Sequence, residues 1–136
     1  MKAKIRVGSH EVQYNKQATR WFGVWLDDRL TLNDHTKKTL AKARRAQNRV
    51  RFLINNKGLS PGACQRIQVA AVQTVALYGS ELWWPGQKDR AQEVQQVLNE
   101  QGRRVTGCFS TTPQGALMND VALRPVEALL NHQLRR

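Results

Sequence analysis

One stretch constrains the possible folds of this chain more than any other. It covers residues 33–55 and has the sequence NDHTKKTLAKARRAQNRVRFLIN. At about 100° per residue, its apolar and small positions fall within a third of a helix circumference and its cations fall on the other side. The inner positions are Thr36, Leu40, Ala43, Gln47, Val50 and Ile54. The cations are Lys37, Lys38, Lys42, Arg44, Arg45, Arg49 and Arg51. The pattern predicts a helix from Asn33 or Asp34 to about Ile54 that packs one face on a core.

The opposite, basic face has two interpretations. A run of charges is commonly only a solvated helix surface. After Asp34, however, the stretch contains no acid, whereas a purely solvated helix favours oppositely charged pairs three or four residues apart. The seven cations are therefore the candidate nucleic-acid-binding residues, through contacts to backbone phosphates, with a solvated surface as the alternative.

The charge of the whole chain agrees with an anionic partner. The 136 residues suffice for one domain with one core, and Lys and Arg outnumber Asp and Glu by 22 to 10, giving a net charge of +12. Such an excess repels itself and is usually compensated by a polyanion. Because four Trp, two Tyr and three Phe accompany the cations, we expect nucleic acid rather than a membrane surface.

Targeting and metal signals are weak. The start, MKAKIRVG, does not resemble an apolar signal segment, and no apolar run has the length of a bilayer span. We expect an intracellular protein, nuclear or cytoplasmic and not secreted, with no membrane partner. Neither cysteine has a neighbour at metal-ligand spacing; the two are Cys64 and Cys108. We therefore expect no metal and no cofactor.

The region before the basic helix has the patterns of β-structure. Residues 2–7 alternate polar and apolar, Gly8-Ser9 is a turn, and residues 11–14 return as a second strand. A third strand, TRWFGVWL, covers residues 19–26, with Gly23 marking a bend or a close backbone approach. The fold class is α+β, with a short three-stranded antiparallel sheet over about residues 3–26 followed by a bundle of four to five helices.

The remaining helices have recognisable starts and stripes. Ser60-Pro61 opens a second helix, whose apolar positions include Ile67, Ala71 and Val75 together with Ala70, Thr74 and Tyr78. Residues 87–106 form a third helix with an inner stripe of Val94, Val97, Leu98, Gln101 and Val105. Gly102 in this helix costs about 1 kcal/mol against Ala, so we expect a tight contact there. Further helices cover residues 114–121 and follow Pro125.

Two pairs of residues invite functional interpretations. Asp27-Asp28 follows an aromatic strand, as metal-binding aspartates of polymerases do. Adjacent strand residues point to opposite faces, so the interpretation we favour is a solvated turn between strand and helix. Trp83-Trp84 is a candidate platform for stacking bases, and the alternative is that one ring fills the core while the other lies at its rim.

Three blocks of the chain together resemble a known family. ATRWFGVWLDDRLTLNDH resembles the segment just after the catalytic core of non-LTR (LINE-type) retrotransposon reverse transcriptases. AVALYGSELWW and TTPQGALMNDVALRPVEALL resemble two later blocks of the same proteins, in the same order. Departures are the absence of the upstream aromatic-x-Asp-Asp catalytic block, and Phe22 where the family usually has leucine.

The resemblance implies a place in such a polymerase. Residues 1–31 would be the end of the palm, and residues 32–136 the thumb and connector, together one compact unit. The basic helix would then track the template–primer duplex, while Mg²⁺ would serve only the complete polymerase. The expected function is a sequence-independent nucleic-acid-binding module without enzymatic activity of its own. The alternative is a non-functional or protein-interaction-only remnant of a degenerate retroelement reading frame. Further expected partners are the missing upstream polymerase core and a second copy, paired through an exposed sheet edge.

Overall fold

The computed structural model of the chain describes residues 5–12, 17–56, 58–84, 87–121 and 123–135. The fold is α+β, as predicted, with short strands first and helices after them. By its internal contacts the chain divides into two compact units, Met1–His35 and Thr36–Arg136. We call them the hairpin unit and the helical unit.

The hairpin unit contains two separate antiparallel hairpins. Strand β1 (Ile5–Val7) pairs with β2 (His10–Val12), and β3 (Thr19–Trp21) pairs with β4 (Val24–Leu26). The first hairpin turns at Gly8-Ser9, as predicted. The outer parts of its predicted strands, residues 2–4 and 13–14, lie outside the described residues.

The prediction of a single three-stranded sheet was wrong, because the strand over residues 19–26 folds back on itself. Phe22 and Gly23 form the turn between β3 and β4, with φ angles of 46° and 83°. Two successive residues with positive φ are what a two-residue type I′ hairpin turn requires. The bend expected at Gly23 is therefore a complete reversal of the chain.

Helix α1 spans Asn33–Asn56, close to its predicted bounds. Its predicted inner positions from Thr36 to Val50 are all buried, while the side chain of Ile54 lies outside what the structure describes. His35 and Thr39 are buried as well. The helix is thus amphipathic in the way that its sequence predicts.

The second predicted helix is a rod of three parts: α2 (Pro61–Gln68), a π-helical segment (Val69–Gln73) and α3 (Thr74–Ala76). Ser60 caps its start by accepting a hydrogen bond from the backbone N–H of Ala63 at 3.3 Å. The predicted inner stripe was partly wrong, since Ala70, Thr74 and Tyr78 are exposed. The buried stripe instead recurs every four residues, as Cys64, Gln68, Val72 and Ala76. A spacing of four drifts around an α-helix, and the π-helical segment, with more residues per turn, offsets that drift.

The rest of the helical unit packs around one long helix. Helix α4 (Ser80–Trp83) precedes α5 (Lys88–Thr106), which is followed by α6 (Gln114–Val121) and α7 (Val126–Leu134). Helix α5 contacts α2, α6 and α7, and α4 contacts α7. The inner stripe of α5 is confirmed by Val94, Val97 and Leu98, each no more than 1% exposed.

Gly102 of α5 makes the tight contact that its sequence position predicts. A Cβ atom placed on Gly102 would lie 3.1 Å from Cγ of Leu117 in α6, closer than side chains normally pack. Glycine therefore lets α5 and α6 approach closely. Polar contacts hold α7 in place: the Trp84 indole N–H donates to Oδ1 of Asn131 at 3.0 Å, and the Val126 N–H donates to Oε1 of Gln95 at 2.9 Å.

Candidate nucleic-acid interface

The basic face of α1 is open to solvent along the helix. All seven predicted cations are exposed: Lys37, Lys38, Lys42, Arg44, Arg45, Arg49 and Arg51. The opposite face is closed, with Ala43 fully buried and Leu40 5% exposed. Because the inner face fixes the rotation of the helix, the cations are held on one side of a rigid element rather than spread over a mobile loop.

The cations form two rows along α1. At 3.6 residues per turn, the first row is Lys37, Arg44 and Arg51, and the second is Lys38, Lys42, Arg45 and Arg49. The first row alone extends over about 21 Å of helix axis at 1.5 Å per residue. Between the rows lies a strip whose described residues, Ala41, Asn48 and Phe52, are exposed and uncharged. Two separated cationic rows fit the phosphates of two strands. They also fit the phosphates of one strand whose bases face the strip between the rows.

The first row borders a cleft between α1 and α5. The cleft has a volume of about 430 Å³. It is lined from α5 by Glu93 and Gln96, and from α1 by Lys37, Leu40, Ala41 and Arg44. The carboxylate of Glu93 offsets part of the charge of this row. The second row lies on the other side of the uncharged strip, so the two rows differ in their electrostatic surroundings.

The two tryptophans of the predicted stacking platform are buried. Trp83 is 2% exposed and Trp84 is 7% exposed. Their rings meet edge to face, with centroids 6.5 Å apart. Base stacking needs an open ring face, which neither ring has here, and Trp84 is also held by its hydrogen bond to Asn131. The structure therefore assigns both rings to the core and corrects the expectation of a platform.

Asp27 stabilises a turn through its side-chain oxygens. Its Oδ2 accepts from the hydroxyl of Thr31 at 2.6 Å and from the N–H of Thr31 at 3.1 Å, and its Oδ1 accepts from the N–H of Leu32 at 2.7 Å. The Thr31 hydroxyl, aided by the two backbone N–H groups, lowers the pKa of Asp27 from its usual 3.8 to about 2. The Leu30 N–H donates to the backbone carbonyl of Asp27 at 3.0 Å. Leu30 and Leu32 lie in this turn at φ angles of 53° and 58°, which are strained for a leucine.

Asp27-Asp28 accordingly forms a turn between strand β4 and helix α1, as favoured from the sequence. Both oxygens of Asp27 accept hydrogen bonds from residues of this turn. Within the described parts of the chain, no three His, Cys, Asp or Glu side chains lie close enough together to hold a metal ion. His35, which follows the turn, is fully buried, and its Nδ1 accepts from the Trp25 N–H at 3.4 Å.

Phe52 was not singled out from the sequence, although it lies on the basic side of α1. It is 63% exposed, on the uncharged strip between the two rows. The available signal was its angular position, which places it about 160° from the centre of the buried face. Phe52 is thus an exposed aromatic ring among the cations of α1.

No helix in the described ranges is both long enough and apolar enough to span a lipid bilayer.

Comparison with known proteins connects the chain to retroelement polymerases. No protein-family model matches the chain, and no solved structure matches it. It is similar to a curated Drosophila melanogaster protein described as "Probable RNA-directed DNA polymerase from transposon BS". The two are 27% identical over 118 residues, which cover 86% of this chain and 13% of that polymerase. Over most of its length, the chain is thus related to a short segment of a transposon-encoded RNA-directed DNA polymerase.

Proposed function

We propose that the chain is a sequence-independent nucleic-acid-binding module that holds template–primer through the basic face of α1. The observation that carries this proposal is the arrangement of seven exposed cations on one side of a helix whose other side is buried. Phosphate contacts from lysine and arginine fix position without reading sequence. The relation to a transposon RNA-directed DNA polymerase supplies a matching substrate class.

The proposal extends to the place of this segment in such a polymerase. The three blocks that resemble non-LTR reverse transcriptases lie after the catalytic block of those enzymes, where the thumb and connector follow the palm. A long amphipathic helix that follows a pair of short hairpins in the sequence is compatible with the start of a thumb. In this view residues 1–31 belong to the end of the palm, and residues 32–136 to the thumb and connector.

We do not assign polymerase activity to this chain by itself. The segment corresponds to 13% of its polymerase relative, and Asp27 is committed to a turn. Primer extension with Mg²⁺ or Mn²⁺ should therefore give no product. Any extension by the purified chain would contradict the assignment of Asp27-Asp28 to a turn.

Charge reversal tests the binding role directly. Arg44, Arg45 and Arg49 are exposed on α1, and their replacement by Glu should abolish binding to an RNA–DNA hybrid duplex. Lys88→Glu, Arg124→Glu and Arg135→Glu together form the matched control, at exposed positions outside α1. Each exchange removes two units of charge, so both triple variants fall from +12 to +6. Only the α1 variant should lose binding, while circular dichroism shows unchanged helix content in both.

The salt dependence of binding gives a second readout. If about five cations meet phosphates, log K should fall against log salt concentration with a slope of about −4 for the wild type. An absence of affinity at low salt would remove the proposal. Equal losses in the two triple variants would mean that net charge, not the α1 face, is responsible.

A second candidate, protein interaction without nucleic-acid binding, is favoured by the hairpin unit. Its exposed apolar residues include Ile5, Val7, Trp21, Phe22 and Leu30, each more than 60% exposed. Exposed apolar patches mark interaction surfaces, and unpaired strand edges can pair with another chain. The partner would be the upstream polymerase core or a second copy. Light scattering that reports a dimer, combined with no affinity for nucleic acid, would favour this candidate over the first.

A further inference from the structure

We propose that Phe52 is a stacking site for an unpaired base, so that the C-terminal part of α1 binds single-stranded rather than duplex nucleic acid. This inference rests on the proposed function, because it names which form of nucleic acid the basic face takes at that end. The first observation is that Phe52 is 63% exposed on a helix whose buried apolar residues lie on the opposite side.

The described neighbours of Phe52 on α1, which precede it in the chain, include cationic and polar residues. Asn48 and Arg49 precede it by one turn, about 5.4 Å along the axis, and both are exposed. Arg51 is its direct neighbour and belongs to the first cationic row, while Arg45 lies a further turn back. A ring between two cationic rows can receive a base while the rows receive the phosphates on either side of it.

The same surroundings disfavour a protein partner at this point. Protein-docking surfaces are contiguous apolar patches, whereas the described part of the strip beside Phe52 holds Asn48 and Ala41 between the cationic rows. Single-stranded nucleic acid is bound by a cationic track combined with aromatic rings on which bases stack. A paired base inside a duplex has both of its faces covered by its neighbours, so the ring selects an unpaired one.

The experiment compares a short single-stranded oligonucleotide with an abasic strand of equal length, which keeps the phosphates and lacks the bases. Fluorescence anisotropy at low salt should show about tenfold tighter binding of the intact strand by the wild type. Phe52→Leu should bind both strands equally, at the abasic level, with its salt slope unchanged. Phe52→Trp, which keeps an aromatic face, should retain the preference.

Phe109→Leu is the matched control, because Phe109 is 84% exposed and lies outside α1. It should keep the full preference for the intact strand. A wild type that binds both strands equally, or a control that loses the preference as Phe52→Leu does, would overturn the inference while leaving the proposed function intact. A wild type that binds neither strand and no duplex would overturn the proposed function itself.

Discussion

The two units of this chain differ in whether they bury an adjacent pair of aromatic residues. In the helical unit, Trp83 and Trp84 are 2% and 7% exposed and meet edge to face. In the hairpin unit, Trp21 and Phe22 are 63% and 86% exposed and stack on each other, with ring centroids 6.0 Å apart. Both pairs are adjacent in sequence and both lie in short, largely apolar stretches, so local sequence does not distinguish them.

The difference in burial comes from the secondary-structure elements that each unit has to pack over an aromatic ring. The helical unit has α7, which supplies Asn131 to the Trp84 indole, and a long α5 with a continuous buried stripe. Each described sheet of the hairpin unit has two strands of three residues. Two-stranded sheets are at best marginally stable alone. The helical unit is thus organised by apolar burial, and the hairpin unit by turns and hydrogen bonds.

A pair of truncations provides the largest test of that contrast. Leu98 of α5 is 1% exposed, and Leu98→Ala should lower the free energy of unfolding by about 2–5 kcal/mol, since it leaves a cavity in a packed core. Trp21→Ala removes a larger side chain, yet should change the same quantity by less than about 0.5 kcal/mol, because the ring is exposed. Urea unfolding followed by circular dichroism measures both. Equal losses would show that Trp21 is covered in solution.

A smaller effect is expected at the close approach of α5 and α6. Gly102→Ala should destabilise the protein by about 1 kcal/mol, because the added methyl group overpacks against Leu117. Combined with Leu117→Ala, which empties that space, the same exchange should stabilise by up to about 1 kcal/mol through helix propensity. Urea unfolding of the four proteins of this cycle checks the change of sign. A stabilising Gly102→Ala in the wild-type background would mean that α5 and α6 are less close than described.

The elements that the sequence predicted well depend on local periodicity. The charge separation in residues 33–55 indicated the faces and bounds of α1, and the period of Val94, Val97 and Leu98 indicated the inner face of α5. Ser60-Pro61 marked the start of α2, since a side-chain cap and a fixed φ act within one turn. Asp27 as a turn residue also followed from local geometry, because consecutive strand residues do not converge.

The failures involve residues whose position depends on the chain folding back or on distant partners. Phe22 takes a positive φ, which is unfavourable for an aromatic residue. The sequence TRWFGVWL therefore does not mark Phe22 as a turn residue, and it has the pattern of one strand. Trp83 and Trp84 are buried through contacts such as that with Asn131, 47 residues later than Trp84. The angular position of Phe52 could be read from periodicity, but the role proposed for it also needed its exposure, because periodicity does not show whether another element covers the ring.

The smallest effect on overall stability, and the most local one, is expected at the turn that Asp27 holds in the hairpin unit. A carboxylate whose pKa is lowered on folding contributes stability above its usual value and loses it as pH falls through the lowered value. For the pKa of Asp27 this window runs from 3.8 down to about 2. Its carboxyl carbon, followed by NMR, should titrate near the lower end.

Thr31→Val should move the pKa of Asp27 upward toward 3.8, because the Thr31 hydroxyl is the largest cause of the shift. Asp27→Asn should speed hydrogen exchange at the amides of Thr31 and Leu32, which donate to the carboxylate, and leave the urea midpoint unchanged. The midpoint reports the apolar core of the helical unit, whereas these amides report a turn held by polar contacts. A fall in the midpoint as large as that of Leu98→Ala would mean that the two units unfold as one and that the contrast between them does not extend to their stability.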